Sequence, residues 1–588
     1  MATKLPPVDV VTVGLGWTGS MVAESMTAAG LRVVSIERGP WRDTATDFPP
    51  SYSPDELRYA VRLDLFVRTA QAPITVRNNA HQTALPVRQW GAFLLPNGVG
   101  GAGVHWNAET WRFSSTDFVL KTHLTQRYGK NFLPEDMTLQ DWGVTYDELE
   151  PHYDQFEYLC GTSGTAGNLR GEIQPFGNPF EGPRSRPYPT PAQKQPYGPV
   201  LWAEAAKELG YQPFPQPSGN LSQAYTNPDG VTIGPCTYCG FCERFGCGNY
   251  SKASPQTTIL PSLMRRSNFE ARTECEVTRI NLDSKGSRAT GVTYVDSQGR
   301  EWEQPAEMVF LCAFQLFNVQ LLLLSGIGQP YDPRAGKGVI GRNYSYQTTS
   351  FVHGFFDDKI FNTFIGSGAI GMCIDDYNAD NFDHGPYGFV GGGYIGMVQT
   401  GARPIEVTPV PPGTPQWGSA WKEAVKDNYL STIIPACHGS CYSYRDCYLD
   451  LDPTYKDRFG RPVLRMTFDF HKNELQMSQF LTDKLATIVH QMGAREVVKL
   501  PRTGPFSISL YQTTHTCGGA IMGTDPTTSA LNRYLQSWDV HNLFVMGATA
   551  FPQNAGYNPT GTVAALTYWS LEAIHRQYLK SPGPLVHA

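Results

Sequence analysis

Three groups of residues in this chain carry types and spacings suited to chemistry. The first is Gly14-Leu15-Gly16-Trp17-Thr18-Gly19, with Glu37 beyond it. In such a series the first glycine permits a tight turn and the second lets backbone approach a pyrophosphate. The third lets helix and strand pack closely. Glu37 can accept hydrogen bonds from a ribose diol, so the pattern reads as a dinucleotide site that suits FAD or NAD equally. The second group is Cys236-x2-Cys239-x2-Cys242-x4-Cys247, one glycine-rich run behind Pro235. Thiolates so closely spaced can converge on a single iron–sulfur cluster, with nearby amides tuning its potential. Zinc is the alternative, although structural zinc more often gathers two separated cysteine pairs. The third is a matter of residue type alone: His515, within Thr514-His515-Thr516-Cys517-Gly518-Gly519, is one of thirteen histidines and no spacing singles it out. Removing a proton near neutral pH calls for a base of matching pKa, and histidine is the natural choice. A looser set, Cys437, Cys441 and Cys447 with His438, reads better as buried or reduced thiols than as a further metal site.

The elements that must hold the first loop occur in order around it. Residues 8–13 (VDVVTV) form a β-branched run of the kind found in fully buried parallel strands. Residues 20–29 read as a helix closed by Gly30, and residues 31–36 as a second strand ending at Glu37. Together they predict a βαβ unit whose helix N-terminus offers amide donors and a positive dipole end to phosphates. The chain has 588 residues, 41% of them hydrophobic and 17% charged, a length that predicts two domains. A net charge of −6 with no basic run argues against a nucleic-acid partner. No run of about 18 apolar residues is present to span a bilayer. Residues 1–9 lead straight into the first strand and leave no room for a signal peptide, which alone predicts a cytoplasmic protein. Export beside a signal-bearing partner is compatible with that.

Further motifs follow. A second glycine loop, Asn97-Gly98-Val99-Gly100-Gly101-Ala102-Gly103-Val104-His105-Trp106-Asn107, lies downstream. Segments 321–328 (LLLLSGIG), 514–523, 542–545, Phe551-Pro552 and 558–562 (NPTGT) come after it. With the first loop, these resemble the glucose-methanol-choline (GMC) oxidoreductases along the whole chain. The resemblance implies an α/β GMC fold, with a Rossmann-like FAD-binding domain and a discontinuous substrate domain built on an antiparallel sheet. The FAD-binding domain would take residues 1–115, 225–345 and 500–588, including the cysteine loop at 234–250. The substrate domain would take 116–224 and 346–499, with 351–398 the best candidate for its strands. Flavin neighbours implied are Gly14, Gly16, Trp17, Thr18, Gly19, Glu37, Arg38, Gly100, Gly101, His105, Trp106, Asn107, Val277, Gly547, Ala548, Pro559 and Thr560. Many relatives carry an Asp-Gly-Ser or Asp-Ala-Ser step where this chain has Met546-Gly547-Ala548, so that acidic contact is absent. His515 takes the place of the family's catalytic histidine and Asn558 that of its partner. Asn558 would orient the substrate hydroxyl and help hold alkoxide charge. Some relatives attach FAD covalently through a histidine in the loop that contains His105. A covalent link and a plain hydrogen bond are both open there.

Within the family, the chain is similar to flavoprotein subunits of bacterial membrane-bound sugar-acid dehydrogenases, those acting on gluconate above all. That implies a sugar acid or polyol as substrate, with D-gluconate oxidised at C2 the first expectation. It implies a [3Fe–4S] cluster on three of the four clustered cysteines, Cys236, Cys242 and Cys247 matching best. Electrons would pass to a multihaem cytochrome c subunit. The protein would sit on the periplasmic face of the inner membrane, exported with a small signal-bearing subunit and meeting the membrane only through a partner. 2-Ketogluconate, sorbitol and fructose are the alternative substrates, and oxygen reduction is the competing activity.

Overall fold

The computed structural model describes residues 2–48, 65–89, 91–401, 409–511 and 513–585. Its first sheet is built on Val8–Val13, whose valines at 10, 11 and 13 are sealed from solvent. Parallel neighbours are Val33–Ile36 on one side and the second half of Glu301–Leu311 on the other. Phe269–Arg272 extends the sheet beyond Val33–Ile36, and Leu543–Val545 extends it beyond Glu301–Leu311. The first half of Glu301–Leu311 instead pairs antiparallel with Ala289–Val295, which pairs with Glu276–Leu282. The helix Trp17–Ala28 leaves the carboxyl end of Val8–Val13, one residue shorter at its end than the sequence predicts. Gly14 sits at φ +99°, a conformation that favours glycine, and a Cβ there would strike the Cys312 carbonyl.

The second sheet is antiparallel, in the order Phe214–Pro215, Gly371–Ile374, Gly393–Val398, Ala436–Gly439, Thr348–Phe355, Thr432–Ile433, with Glu496–Leu500 also on Thr348–Phe355. One face packs against the helix Lys472–Gln491, whose Met477, Leu481, Leu485 and Ile488 recur at helical spacing. They meet Val352, Ile395 and Cys437 from the strands. Side chains alternate along a strand, so Tyr394, His438 and Thr349 emerge on the opposite face. That face looks into the cavity described below.

A third sheet joins Ile74–Arg77 in parallel to Pro462–Thr467. The boundaries drawn from sequence put these two strands in different domains. The paired residues, such as Ile74 and Leu464, lie far apart in the chain, and strands this short carry no periodic signal of such a partner. Among the described residues no helix is long and apolar enough to cross a membrane.

Candidate active site

A cavity of about 540 Å³ lies between the first sheet and the open face of the second. Gly14, Gly16, Trp17, Thr18, Glu37, Arg38 and Val277 line one part of it. Gly101, His105, Trp106, Asn107, Gly547, Ala548, Pro559 and Thr560 also line it, as do His515 and Asn558. Gly19 and Gly100 do not reach the wall. A Cβ on Gly19 would collide with the Gly14 carbonyl, and one on Gly100 would meet Gln256 and Val104. These two glycines shape the backbone. Gly16 differs: a Cβ there would meet nothing nearer than Gly101 Cα at 3.6 Å. The space before Gly16 is therefore left to a ligand, and the same holds for Gly547, around which nothing lies within 4 Å.

Both oxygens of Glu37 accept backbone N–H groups, from Leu15 at 3.0 Å and Gly39 at 2.8 Å. The carboxylate thus braces the glycine loop and has lone pairs left for a ribose. Gly100 donates to the Leu15 carbonyl at 2.7 Å, which locks the two glycine loops together. The Arg38 guanidinium lies over the Phe317 ring at 4.3 Å, and its Nε is buried without a partner. The helix Thr560–Ala573 begins at the cavity, adding amide donors and a positive dipole end. A wall with open glycines, an unpartnered buried donor and helix N-termini fits a long anionic dinucleotide such as FAD.

The two residues of the candidate catalytic pair come from the C-terminal segment. Asn558 Nδ2 lies 3.4 Å from His515 Nε2, and Asn558 Oδ1 lies 3.5 Å from the Tyr394 hydroxyl. The Tyr394 hydroxyl donates to Glu109 Oε2 at 2.9 Å, and Trp111 Nε1 donates to the same oxygen at 3.2 Å. Burial pushes the Glu109 carboxyl up to about 7 despite these donors. Tyr394 and His438 are partners in the antiparallel register, so their rings stack, 5.1 Å apart and 5° from parallel. Burial, and then His438, holds His515 well below the ordinary histidine range; burial takes His438 down to about 4. Both imidazoles are neutral at neutral pH. A neutral, buried imidazole beside a neutral amide can take a proton from a hydroxyl and steady the oxygen left behind.

His438 therefore belongs to this site and not to a cysteine group. Its neighbour Cys437 points to the other face of the sheet, where its thiol meets the Leu481 carbonyl at 3.4 Å. Cys441 and Cys447 are buried too, and the Cys447 sulfur gathers with Asp446 and His471 elsewhere. Gln347, Tyr394 and Glu109 carry no motif, and the sequence reading missed them.

The cysteine loop abuts the second glycine loop. Lys252 is sealed from solvent, and its ammonium donates to the carbonyls of Trp106 (2.8 Å), Cys242 (3.1 Å) and Phe245 (2.6 Å). The Arg244 N–H donates to the His105 carbonyl at 3.0 Å. Tyr238, Arg244 and Tyr250 all adopt positive φ, at a cost of about 1–3 kcal/mol each. The four thiols sense one another, and all four offset the burial that lowers Lys252. In a tetrahedral zinc site with Zn–S near 2.3 Å, sulfurs sit about 3.8 Å apart. Among the described residues, no three of these sulfurs lie within 4.8 Å of one another.

Residues 191–349 and 443–567 match the GMC oxidoreductase family. The chain is 52% identical to the gluconate 2-dehydrogenase flavoprotein of Pantoea cypripedii, over 100% of this chain and 97% of that one. This chain belongs to the GMC oxidoreductases. As a member it is an FAD-dependent oxidoreductase acting on CH–OH donors. It is also 24% identical to the fructose dehydrogenase large subunit of Gluconobacter japonicus, over 98% of this chain and 99% of that one. Among solved structures, the GMC fold is shared with pyridoxine 4-oxidase from Mesorbium loti (TM-score 0.57, 16% identity, 97% and 99% covered). Formate oxidase from Aspergillus oryzae gives a TM-score of 0.60 at 13% identity, with 98% and 99% covered.

Proposed function

We propose that this GMC oxidoreductase oxidises D-gluconate at C2 as a dehydrogenase, working as the flavoprotein subunit of a larger complex. The observation that carries the reading is a cavity wall shared by the His515–Asn558 pair and Arg244. A sugar acid needs a cation for its carboxylate, and a guanidinium offers a planar, bidentate match. Arg461 is engaged by Glu276 and Asp457, beside the Val277 part of the cavity. Arg244 lies on the cysteine loop, paired with Glu243 at 3.3 Å and with its guanidinium over the Tyr511 ring. FAD, when bound, supplies the acceptor for the hydride. His515 takes the hydroxyl proton, Asn558 steadies the oxygen, and Arg244 exchanges Glu243 for the substrate carboxylate.

The test is a panel of gluconate, 2-ketogluconate, sorbitol and fructose with an artificial electron acceptor. Gluconate is expected to give the highest kcat/KM. Arg244→Met is expected to raise KM for gluconate by roughly 10- to 100-fold, the scale of about 1.5–3 kcal/mol for a charged hydrogen bond. Its effect on sorbitol should be much smaller. Equal losses on charged and uncharged substrates would remove Arg244 from the reading, and rapid oxygen consumption would make the protein an oxidase.

Three of Cys236, Cys239, Cys242 and Cys247 would hold a [3Fe–4S] cluster, which supplies one-electron transfer toward a multihaem cytochrome c subunit. The complex would lie on the periplasmic face of the inner membrane, brought there with a small signal-bearing subunit. His105 would carry the flavin covalently. Its Nε2 is buried without a partner, and burial with Lys252 nearby takes the ring down to about 3. An imidazole kept neutral in this way has a free nitrogen for bonding. After acid precipitation the yellow colour is expected in the pellet; colour in the supernatant rules the link out.

A further inference from the structure

Gln347 is completely buried one residue ahead of the strand Thr348–Phe355, and its two amide ends have different neighbours. The nitrogen end donates to the Ala555 carbonyl at 3.1 Å and the Tyr557 carbonyl at 3.0 Å. Carbonyl oxygens only accept, so both amide protons are committed and the amide cannot flip without setting oxygen against oxygen. The Oε1 end is thereby fixed toward His515, where it lies 2.6 Å from Nδ1. An amide oxygen also only accepts, so the proton between them must sit on Nδ1. A neutral imidazole has one N–H, and the other nitrogen, Nε2, is left bare. Nε2 is the atom beside Asn558, at the cavity.

We propose that Gln347 is a positioning residue that sets the tautomer of His515, so that the nitrogen facing the substrate arrives as a base. The chain of constraint starts at two backbone carbonyls just ahead of Asn558. The segment that supplies the second member of the pair thus also dictates the protonation of the first. His438 Nδ1 approaches the same Oε1 at 3.4 Å, a longer contact that favours the same tautomer in the second imidazole. In the opposite tautomer, Nδ1 and Oε1 would face each other as two acceptors, and Nε2 would present a proton to a hydroxyl that must lose one. Such a site could bind its substrate and not deprotonate it.

The inference rests on His515 as the base, and its test separates the two ideas. Selective 15N-histidine labelling of the holoenzyme reports which ring nitrogen carries the proton, with the His515 signals assigned by their loss in His515→Asn. The expected result is protonated Nδ1 and bare Nε2 for His515. Protonated Nε2 in the wild-type protein would overturn the proposal, whatever the kinetics. Gln347→Met keeps the length of the side chain and removes the acceptor. It is expected to lower kcat by about tenfold or more with KM nearly unchanged and full FAD content, and to give His515 a mixture of tautomers. Unchanged kcat in a folded, FAD-loaded Gln347→Met protein would equally overturn it. If that variant fails to fold, the wild-type spectrum still decides. Full activity in His515→Asn would instead sink the catalytic reading and leave the tautomer assignment standing.

Discussion

Replacing His515 by alanine is expected to lower kcat by about 10³-fold, the scale of a lost general base, while FAD stays bound. The side chain holds no element in place. Its ring contacts are Gln347, Asn558 and His438, whereas Asn554 anchors its backbone by donating to the His515 carbonyl at 3.1 Å. The fold therefore survives the truncation, and flavin absorbance per protein is the control. The acid side of the pH profile carries a second expectation. A base works when deprotonated, so activity falls only as pH drops through its pKa, and burial holds that of His515 well below 6.5. His515 is thus not expected to limit the rate between pH 8 and 6.5. An inflection near pH 7 would belong to Glu109, whose carboxyl burial raises to about 7 and whose oxygen meets the Tyr394 hydroxyl. Glu109→Gln should erase that inflection and leave the lower one. Near-normal kcat in His515→Ala would remove the histidine from the chemistry altogether.

The parts of this site legible in sequence are those built from neighbouring residues. Gly14, Gly16, Gly19 and Glu37 belong to one βαβ unit, so the turn, the helix start and the acid appear in reading order. The spacing alone does not show that Glu37 spends both oxygens on backbone first, since that depends on how the loop folds back. His515 and Asn558 stood out only through family resemblance, because one histidine among thirteen has no local mark. Gln347, Tyr394 and His438 were illegible for a different reason. They meet through sheet register, Tyr394 opposite His438 and Thr349 opposite His438, across gaps of 44 and 89 residues. The sequence instead placed His438 with Cys437, its neighbour in the chain. In a strand, neighbours point to opposite faces, so that adjacency separates them.

If the cysteine loop holds the proposed [3Fe–4S] cluster, replacing Cys242 by serine is expected to strip its iron and abolish the EPR signal of the oxidised protein. Substrate should still bleach the flavin anaerobically at near wild-type rate. The two half-reactions separate because the base and the thiols lie on different segments. His515 and Asn558 lie on the C-terminal segment, whereas the thiols lie on the loop that Lys252 ties to Trp106; Arg244 shares that loop, so the rates are compared at saturating gluconate. Steady turnover with a one-electron acceptor should then collapse, since reduced flavin has lost its single-electron outlet. Cys242 is the thiol to choose because it is buried, and its backbone carbonyl is one of three that Lys252 holds. That buried ammonium is itself informative. It is costly to seal a lone cation from water, and three carbonyl dipoles only partly offset the cost. The nearby sulfurs that would become anionic on binding iron, three of them in the proposed cluster, would offset the rest. Lys252→Met should therefore loosen the cluster even though it removes no ligand, by roughly the 10- to 100-fold in metal affinity typical of an outer-shell partner. A silent EPR spectrum with one zinc per chain would overturn this account. The lysine would then be a clamp between two loops, and the flavin would need another outlet.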